Sequence, residues 1–577
     1  MIRPVSGPIL MNIFKYGFWL DLSMSSYLTL LMFFLFLLSR LIQHKAWIYT
    51  IHFISGISLL LLTILACADA VVYKHWSAKI NPMAISFLSS PKEVMASVGH
   101  DDHILVISII GVLTFYVLYK LYFILSRFLF KDQVKNKVEW MVGSLILFPL
   151  LVIGIRGGLQ LEPINQSSAF FSDRTIYNHA ALNTSWNLLN KYTLKKKDHS
   201  IYGASSESKL DSALLAFYHK KQNEWIIKNH QKPNILFIIL EGISADAIAA
   251  FGGSKGYTPY LDSVMQRSLI WTNFYANGDR TYKGLPAILN GWPTRPVGSI
   301  TQDADHTGDL PSLAKILKSN GYSTSFYYGG ESEFANIKSY LLNTGFNQIV
   351  DINDFSNTLR GKKWGVADHY VFEKLARDLN ETKRPFFNTI LTLSSHEPYD
   401  IPLKAFVEGK DPREMYLNTV MYTDYSLGRF FSSIKNYAWF DSTLFVITAD
   451  HGNYLPANYM TNYEPGRFKI PMILYGNLIP DSLKGSRNTN VSSQNDIAYS
   501  ILRLLDFEDT GFRYAQNMFA SAGGSAFYTF DHGFGLINTE SKICYDYNSN
   551  KIIFQEGNQK DSLLSLGKLI MEATQKK

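Results

Sequence analysis

Four long apolar runs fill the first part of the chain, at residues 25–42, 47–68, 104–125 and 138–155. Each approaches the ~20 apolar residues that a helix needs to cross a bilayer. Four such runs close together predict a helical transmembrane bundle rather than the core helices of a soluble protein. Beyond residue 231 the pattern changes. Short apolar runs at 232–240, 269–275, 322–328, 385–393, 442–448 and 470–475 read as buried strands. Between them, 244–251, 312–320, 421–434 and 495–505 carry helical spacing. Strands alternating with helices predict a mostly parallel sheet covered on both faces. After Phe507 the pieces shorten again, at 525–537, 543–547 and 551–554, which predicts a small antiparallel addition.

These patterns divide the chain into four parts: a multi-span transmembrane domain (1–157), a helical connector at the membrane surface (158–230), an α/β domain (231–517) and a small β-rich C-terminal subdomain (518–577). Within the connector, 206–229 has amphipathic helical spacing and 161–193 is polar and rich in asparagine. Basic residues orient the membrane part. Arg40 and Lys45 lie between the first two runs, and Arg127, Lys131, Lys135 and Lys137 between the last two. In the middle linker, Lys74, Lys79 and Lys92 are offset by Asp69, Glu93, Asp101 and Asp102. The positive-inside rule places the two basic linkers in the cytoplasm and everything after residue 155 outside. Four spans ending outside require an N-terminus that is also outside. Residues 1–22 are interrupted by Lys15 and Asp21 and make no convincing signal peptide. Either this tail is translocated or the native chain begins upstream with another span; the second reading is preferred.

The chain has 577 residues, too many for one ordinary domain. Apolar residues make up 47% of it, with the excess in the membrane part. The net charge of +7 is modest and the basic residues are scattered, so there is no nucleic-acid footprint. The two cysteines, Cys67 and Cys544, argue against a disulfide scaffold and a cysteine-based zinc site.

Candidate chemistry gathers at the ends of the predicted strands, where open α/β sheets bind ligands. Glu241 ends the first strand of the α/β domain, and Asp450-His451-Gly452 follows another. Around Thr281 a loop with Asn277, Gly278 and Asp279 passes into a helix carrying Leu285, Ile288 and Leu289. A hydroxyl at a helix N-terminus sits among unpaired N–H groups and the positive end of the helix dipole. That suits an oxygen that must become an alkoxide or lie beside a phosphate. The plainer reading of Thr281 is an N-cap. Two carboxylates, one imidazole and one hydroxyl would make a mixed oxygen and nitrogen site suited to Mn²⁺, Mg²⁺ or Zn²⁺.

Further motifs join these: Thr258-Pro-Tyr-Leu-Asp262, Phe274-Tyr-Ala276, Gly321-Tyr322, Tyr422-Thr-Asp-Tyr-Ser-Leu-Gly-Arg429, Thr448-Ala-Asp-His-Gly452 and Asn495-Asp-Ile497. Together they resemble the sulfatase branch of the alkaline-phosphatase superfamily over roughly residues 231–510. With membrane spans in front, Glu241 at the first strand end and Thr281 at the nucleophile position, the chain resembles the lipoteichoic-acid-synthase type of phosphoglycerol transferase. The resemblance implies an α/β sulfatase-like catalytic domain outside the cytoplasm of a bacterial cell, anchored by a multi-pass membrane part. It implies one divalent metal, Mn²⁺ first and Mg²⁺ or Zn²⁺ otherwise, held by Glu241, Thr281, Asp450 and His451. It implies Thr281 as the nucleophile, a phospholipid as donor, and a glycan, polymer or lipid as acceptor. His396, in Ser394-Ser-His-Glu-Pro-Tyr399, matches the family's substrate histidine; its plainer reading is a loop histidine.

One stretch departs from the family. The lipoteichoic-acid enzymes carry a Phe-Trp-Asn-Arg stretch whose Trp and Arg help bind glycerol phosphate. The comparable stretch here is Phe334-Ala-Asn-Ile337, with neither the second aromatic nor the cation. Arg280 and Lys283, flanking Thr281, are candidates for the missing charge, or else ordinary solvated cations. Thr281 in Arg-Thr-Tyr-Lys does not fit the Cys/Ser-x-Pro-x-Arg context of strict sulfatases. The competing readings are a phosphoethanolamine transferase, a sulfatase-like phosphoester or sulfate-ester hydrolase, and a catalytically dead scaffold.

Overall fold

The computed structural model describes residues 6–42, 46–76, 79–80, 102–131, 137–195, 232–361, 364–507, 511–520 and 524–575. The chain divides into two compact units, Met1–His199 and Ser200–Lys577.

The first unit is helical. Its long helices are α1 (Gly7–Ile42), α2 (Ala46–Trp76), α3 (Asp102–Lys131) and α4 (Lys137–Arg156). Among the described residues three stretches are long and apolar enough to cross a membrane: Gly7–Ser39, Ala46–Lys74 and His103–Arg127. The fourth predicted run lies within α4, which contains Pro149. Helix α1 begins well before residue 25. The acid that interrupts the early sequence has a partner there, since Asn183 donates to Asp21 at 2.7 Å. Two short helices follow, α5 (Thr175–Ala181) and α6 (Thr184–Lys195). The asparagines of this region work as local caps. Asn165 accepts from the N–H of Ser167, Asn178 from those of Phe171 and Ser172, and Asn183 from that of Trp186. The amphipathic stretch predicted at 206–229 lies outside the described residues.

The second unit is built on an eight-stranded sheet in the order β4-β3-β5-β1-β6-β7-β2-β8. Its strands are β1 (Asn234–Leu240), β2 (Leu269–Tyr275), β3 (Ser323–Tyr328), β4 (Gln348–Val350), β5 (Phe386–Leu391), β6 (Thr443–Ala449), β7 (Met472–Tyr475) and β8 (Arg487–Ser493). All neighbours pair in parallel except β7, which runs antiparallel to β6 and β2. Strands β1, β5 and β6 are buried along their whole length, as the unbroken apolar runs require. Helices α7 (Pro259–Met265), α8 (Thr281–Asn290), α9 (Leu313–Ser319), α10 (Ile337–Asn343), α11 (Asp368–Glu381), α12 (Pro412–Ile434) and α13 (Asn495–Leu504) join them.

The predicted helix at 244–251 is replaced by two 3₁₀ turns, Ala245–Ala247 and Ala249–Phe251. Tertiary partners take the backbone groups that a helix would need. Ser244 N–H donates to the Tyr416 hydroxyl and Ala245 N–H to the Lys469 carbonyl, with Ser244 and Ile248 extended. Two of the sequence motifs meet as one cap. Asp424, from Tyr422-Thr-Asp, accepts from the N–H groups of Tyr260 and Leu261 at 2.9 and 2.8 Å, closing the first turn of α7.

The C-terminal addition is a four-stranded antiparallel sheet, β9 (Ser525–Phe530), β10 (Gly533–Asn538), β11 (Lys542–Asp546) and β12 (Lys551–Glu556). Helix α14 (Lys560–Gln575), which the strand pattern did not predict, ends the unit and buries Leu563, Ile570 and Met571.

Candidate active site

Strands β1 and β6 are adjacent and in register, Leu240 opposite Ala449. The next residue of each is an acid, so Glu241 and Asp450 leave the sheet side by side. Both are buried, at 4% and 0% exposure. Asp450 Oδ1 accepts from the N–H groups of Gly242 (2.9 Å) and His451 (2.8 Å). Its Oδ2 is buried and has no hydrogen-bond partner among the described residues. His451 Nδ1 lies 2.7 Å from the Gly452 carbonyl, which can only accept, so Nδ1 carries the proton and Nε2 faces the acids. Nε2 is 3.2 Å from Glu241 Oε1 and 3.7 Å from Asp450 Oδ2. Ligand atoms of Glu241, Asp450 and His451 all lie within 4.8 Å of one another, a set that could hold a metal ion. An orphaned carboxylate oxygen within a buried acid–imidazole cluster fits a cation.

Thr281 closes this cluster. Its Oγ1 donates to Glu241 Oε2 at 2.9 Å. It is the first residue of α8; the N-cap position belongs to Arg280, which makes no side-chain capping bond. The hydroxyl is therefore spent on the acid cluster and not on capping.

The loop carrying Thr281 is held from two sides. Gln494 accepts from the Asn277 N–H and donates to the carbonyls of Ala449 and Asp450, so one side chain spans the Thr281 loop and the β6 end. The Asn277 side chain donates to the Phe527 carbonyl, and its backbone carbonyl accepts from the Thr529 N–H; both partners are on β9. Helix α8 itself packs on Asp450. A Cβ built on Gly284 would stand 2.0 Å from the Asp450 carbonyl oxygen. Gly284→Ala is expected to push α8 off the β6 end, at a cost of about 1–3 kcal/mol in stability. Turnover should fall much further than the small loss of melting temperature implies, both being measured on the same sample.

The remaining predicted residues are less uniform. Arg280 is exposed and donates from Nη1 to the Asp279 carbonyl. Lys283 is 3% exposed, with Nζ on Asp279 Oδ1 at 3.0 Å and on the Pro296 carbonyl at 3.1 Å. This corrects the expectation that Lys283 meets substrate. Its ammonium is committed to bracing Asp279, whose carboxyl it helps hold below the usual range although burial pushes the other way. His396 is half-buried beyond the end of β5, with Nδ1 3.1 Å from the Glu397 carbonyl. Its ring centre lies 4.1 Å from that of Trp364, whose Nε1 donates to the same carbonyl. Phe334 is edge-on to Trp364 at 6.3 Å, so an aromatic from a later loop stands beside the stretch where Ala335 departs from the family. Sequence reasoning missed Asp279, Gln494 and Trp364. Only the first carried a signal, its four-residue spacing to Lys283.

Known proteins share sequence and fold with this part of the chain. The Sulfatase family model matches residues 233–507. Residues 233–507 are a sulfatase domain. Among curated relatives, lipoteichoic acid synthase-like YvgJ of Bacillus subtilis is 21% identical over 346 residues, covering 56% of this chain and 55% of its own length. Lipoteichoic acid synthase 2 of the same species is 23% identical over 327 residues, covering 52% and 49%. The chain thus spans about half the length of the curated relatives it matches. Two solved structures share the fold of the sulfatase domain. One is a protein in the alkaline phosphatase superfamily from Vibrio parahaemolyticus, with TM-score 0.57 and 24% identity, covering 65% of this chain and 96% of that one. The other is lipoteichoic acid synthase LtaP from Listeria monocytogenes, with TM-score 0.54 and 17% identity, covering 64% and 97%.

Proposed function

We propose that this chain is a membrane-anchored phosphotransferase that moves a phosphoglycerol-type head group from a phospholipid to an acceptor hydroxyl through a phospho-threonine intermediate. The observation that carries the proposal is the Thr281 hydroxyl at the start of α8, donating to Glu241 beside Asp450 and His451. The names of the lipoteichoic acid synthase relatives support the donor class. A divalent ion held by Glu241, Asp450, His451 and Thr281, with Mn²⁺ first and Mg²⁺ or Zn²⁺ as alternatives, would lower the hydroxyl pKa and neutralise phosphoryl charge.

Thr281 Oγ1 gives its proton to solvent and attacks the donor phosphorus as the bond to diacylglycerol breaks; it later leaves the phosphorus unprotonated and regains a proton from solvent. Glu241 orients the hydroxyl. Its carboxyl is held down to about 2, because His451 outweighs the burial that would raise it, so it stays an acceptor and not a base. The N-terminal end of α8 would offer the N–H groups of Thr281 and Tyr282 to the phosphoryl oxygens, those of Lys283 and Gly284 donating to the Arg280 carbonyl. His396, held by the Glu397 carbonyl, protonates the leaving oxygen and then takes the proton of the acceptor hydroxyl that displaces Thr281. The basic linkers of the membrane part support a catalytic domain working outside the cytoplasm.

Phosphatidylethanolamine is the second candidate donor, because Ala335 and Ile337 leave the head-group contact of the lipoteichoic-acid enzymes unfilled. Mass spectrometry of the full chain, incubated with Mn²⁺ and each lipid in turn, decides. A glycerol-phosphate adduct on Thr281 is the expected result. A phosphoethanolamine adduct instead would reassign the donor, and no adduct in a folded, metal-loaded sample would remove the transferase reading.

A further inference from the structure

Arg467 lies in the 3₁₀ turn Pro465–Phe468, which the fold wedges between three parts of the site. On one side Ala276 N–H donates to the Phe468 carbonyl at 2.7 Å, tying the turn to the end of β2, just ahead of the Thr281 loop. On another, Ala245 N–H donates to the Lys469 carbonyl, tying it to the segment after Glu241. On the third, the Arg467 carbonyl presses on Gly452, where a Cβ would stand 1.9 Å away. Gly452 is therefore needed to admit the Arg467 backbone beside His451.

The side chain is half-buried, and its Nε is buried with no hydrogen-bond partner among the described residues. The charged groups acting on it are Asp279, Arg280 and Asp531. Asp279, the first of these, already holds Lys283 at 3.0 Å. A guanidinium partly withdrawn from water and not paired to a carboxylate is costly unless an anion completes it. Its planar fork matches two phosphoryl oxygens better than an ammonium would. Arg280 is a poorer candidate, being exposed and turned onto the Asp279 carbonyl.

We infer that Arg467 binds phosphoryl oxygens of the donor beside Thr281, supplying the charge that Ile337 cannot. This rests on the phosphotransferase reading for the identity of the donor, but not for the anion chemistry, which inorganic phosphate shares.

The test uses the full chain, metal-loaded in detergent, as wild type, Arg467→Ala and Arg467→Lys. Three quantities are measured: affinity for inorganic phosphate, the single-turnover rate of adduct formation on Thr281 from phosphatidylglycerol, and affinity for Mn²⁺. In Arg467→Ala, phosphate should bind at least about 10-fold more weakly and the adduct form about 10²-fold more slowly, the scale of removing one preorganised donor. Mn²⁺ affinity should not change, which separates loss of an anion contact from collapse of the site. Arg467→Lys should recover only part of both losses. Wild-type phosphate affinity in a folded alanine variant overturns the inference. If that variant does not fold, unchanged phosphate affinity and adduct rate in the lysine variant overturn it instead. If wild type forms no adduct with either phosphatidylglycerol or phosphatidylethanolamine, the transferase reading fails, and Arg467 is judged on phosphate affinity alone.

Discussion

Replacing Thr281 with alanine should abolish transfer, by at least about 10³-fold, while the protein still folds. Two structural facts make the result informative. Thr281 is the first helical residue and not the cap, so alanine, a strong helix former, leaves the start of α8 intact. The lost hydrogen bond runs to Glu241, which keeps its contact with His451 at 3.2 Å. Stability should therefore fall by about 1.5–3 kcal/mol, the range for a hydrogen bond to a charged group. Thr281→Ser keeps an oxygen at the same place and should retain measurable transfer. Adduct formation and turnover at the wild-type rate in the alanine variant would remove Thr281 as nucleophile. A variant that loses both structure and activity would leave the serine variant to decide.

Metal affinity should rise steeply with pH. In the metal-free protein, burial and the neighbouring Glu241 push Asp450 up to about 8. Burial alone would lower His451, but Asp450 and Glu241 outweigh it and raise the imidazole to about 10. Because the charge on Asp450 is the main influence that raises His451, the two share protonation, and at neutral pH the pair holds at least one proton whereas Glu241 holds none. Ligation requires the deprotonated forms, so an entering cation must displace a proton from the Asp450 and His451 pair. Acid favours the protonated cluster, and affinity climbs as pH rises. One displaced proton corresponds to about 10-fold in affinity per pH unit while the pair remains protonated. Titration calorimetry with Mn²⁺ in buffers of different ionisation enthalpy, between pH 6 and 8, counts the protons directly. Asp450→Asn should lower that count. An affinity flat across that range would mean that these residues are not the ligands.

The central strands were legible because burial on both faces leaves an unbroken apolar run. Strand β2 falls on the predicted 269–275, and β1, β5 and β6 lie within or beside their runs. The sheet edges were not. Strand β4 has three residues, and β8 reads Arg-Asn-Thr-Asn-Val-Ser-Ser, with its first half partly open to solvent. Neither offers the apolar signal that a covered strand must carry. The antiparallel β7 could not be distinguished either, since its direction depends on the path of the preceding loop and not on its own composition. At the site, residues at strand ends and motif positions were visible, because their chemistry is tied to a local pattern. Gln494 and Arg467 were not, because each acts across segments far apart in sequence, through contacts that only the folded sheet creates. Lys283 shows the converse error. Its nearness to Thr281 in the chain suggested a substrate contact, but the fold turns it inward to Asp279.

The family match stops at residue 507, yet the loop bearing Thr281 leans on strand β9, through Asn277 to Phe527 and Thr529 and through Thr294 to Thr529. A shortened gene product cut at the edge of the match would keep Glu241, Thr281, Asp450 and His451 and the whole eight-stranded sheet. It would nevertheless lose the buttress under the Thr281 loop. It would also lose Phe512, Met518, Phe527 and Phe534, which share one hydrophobic core with the large sheet, so the segment past the match carries part of the fold as well as the support of the Thr281 loop.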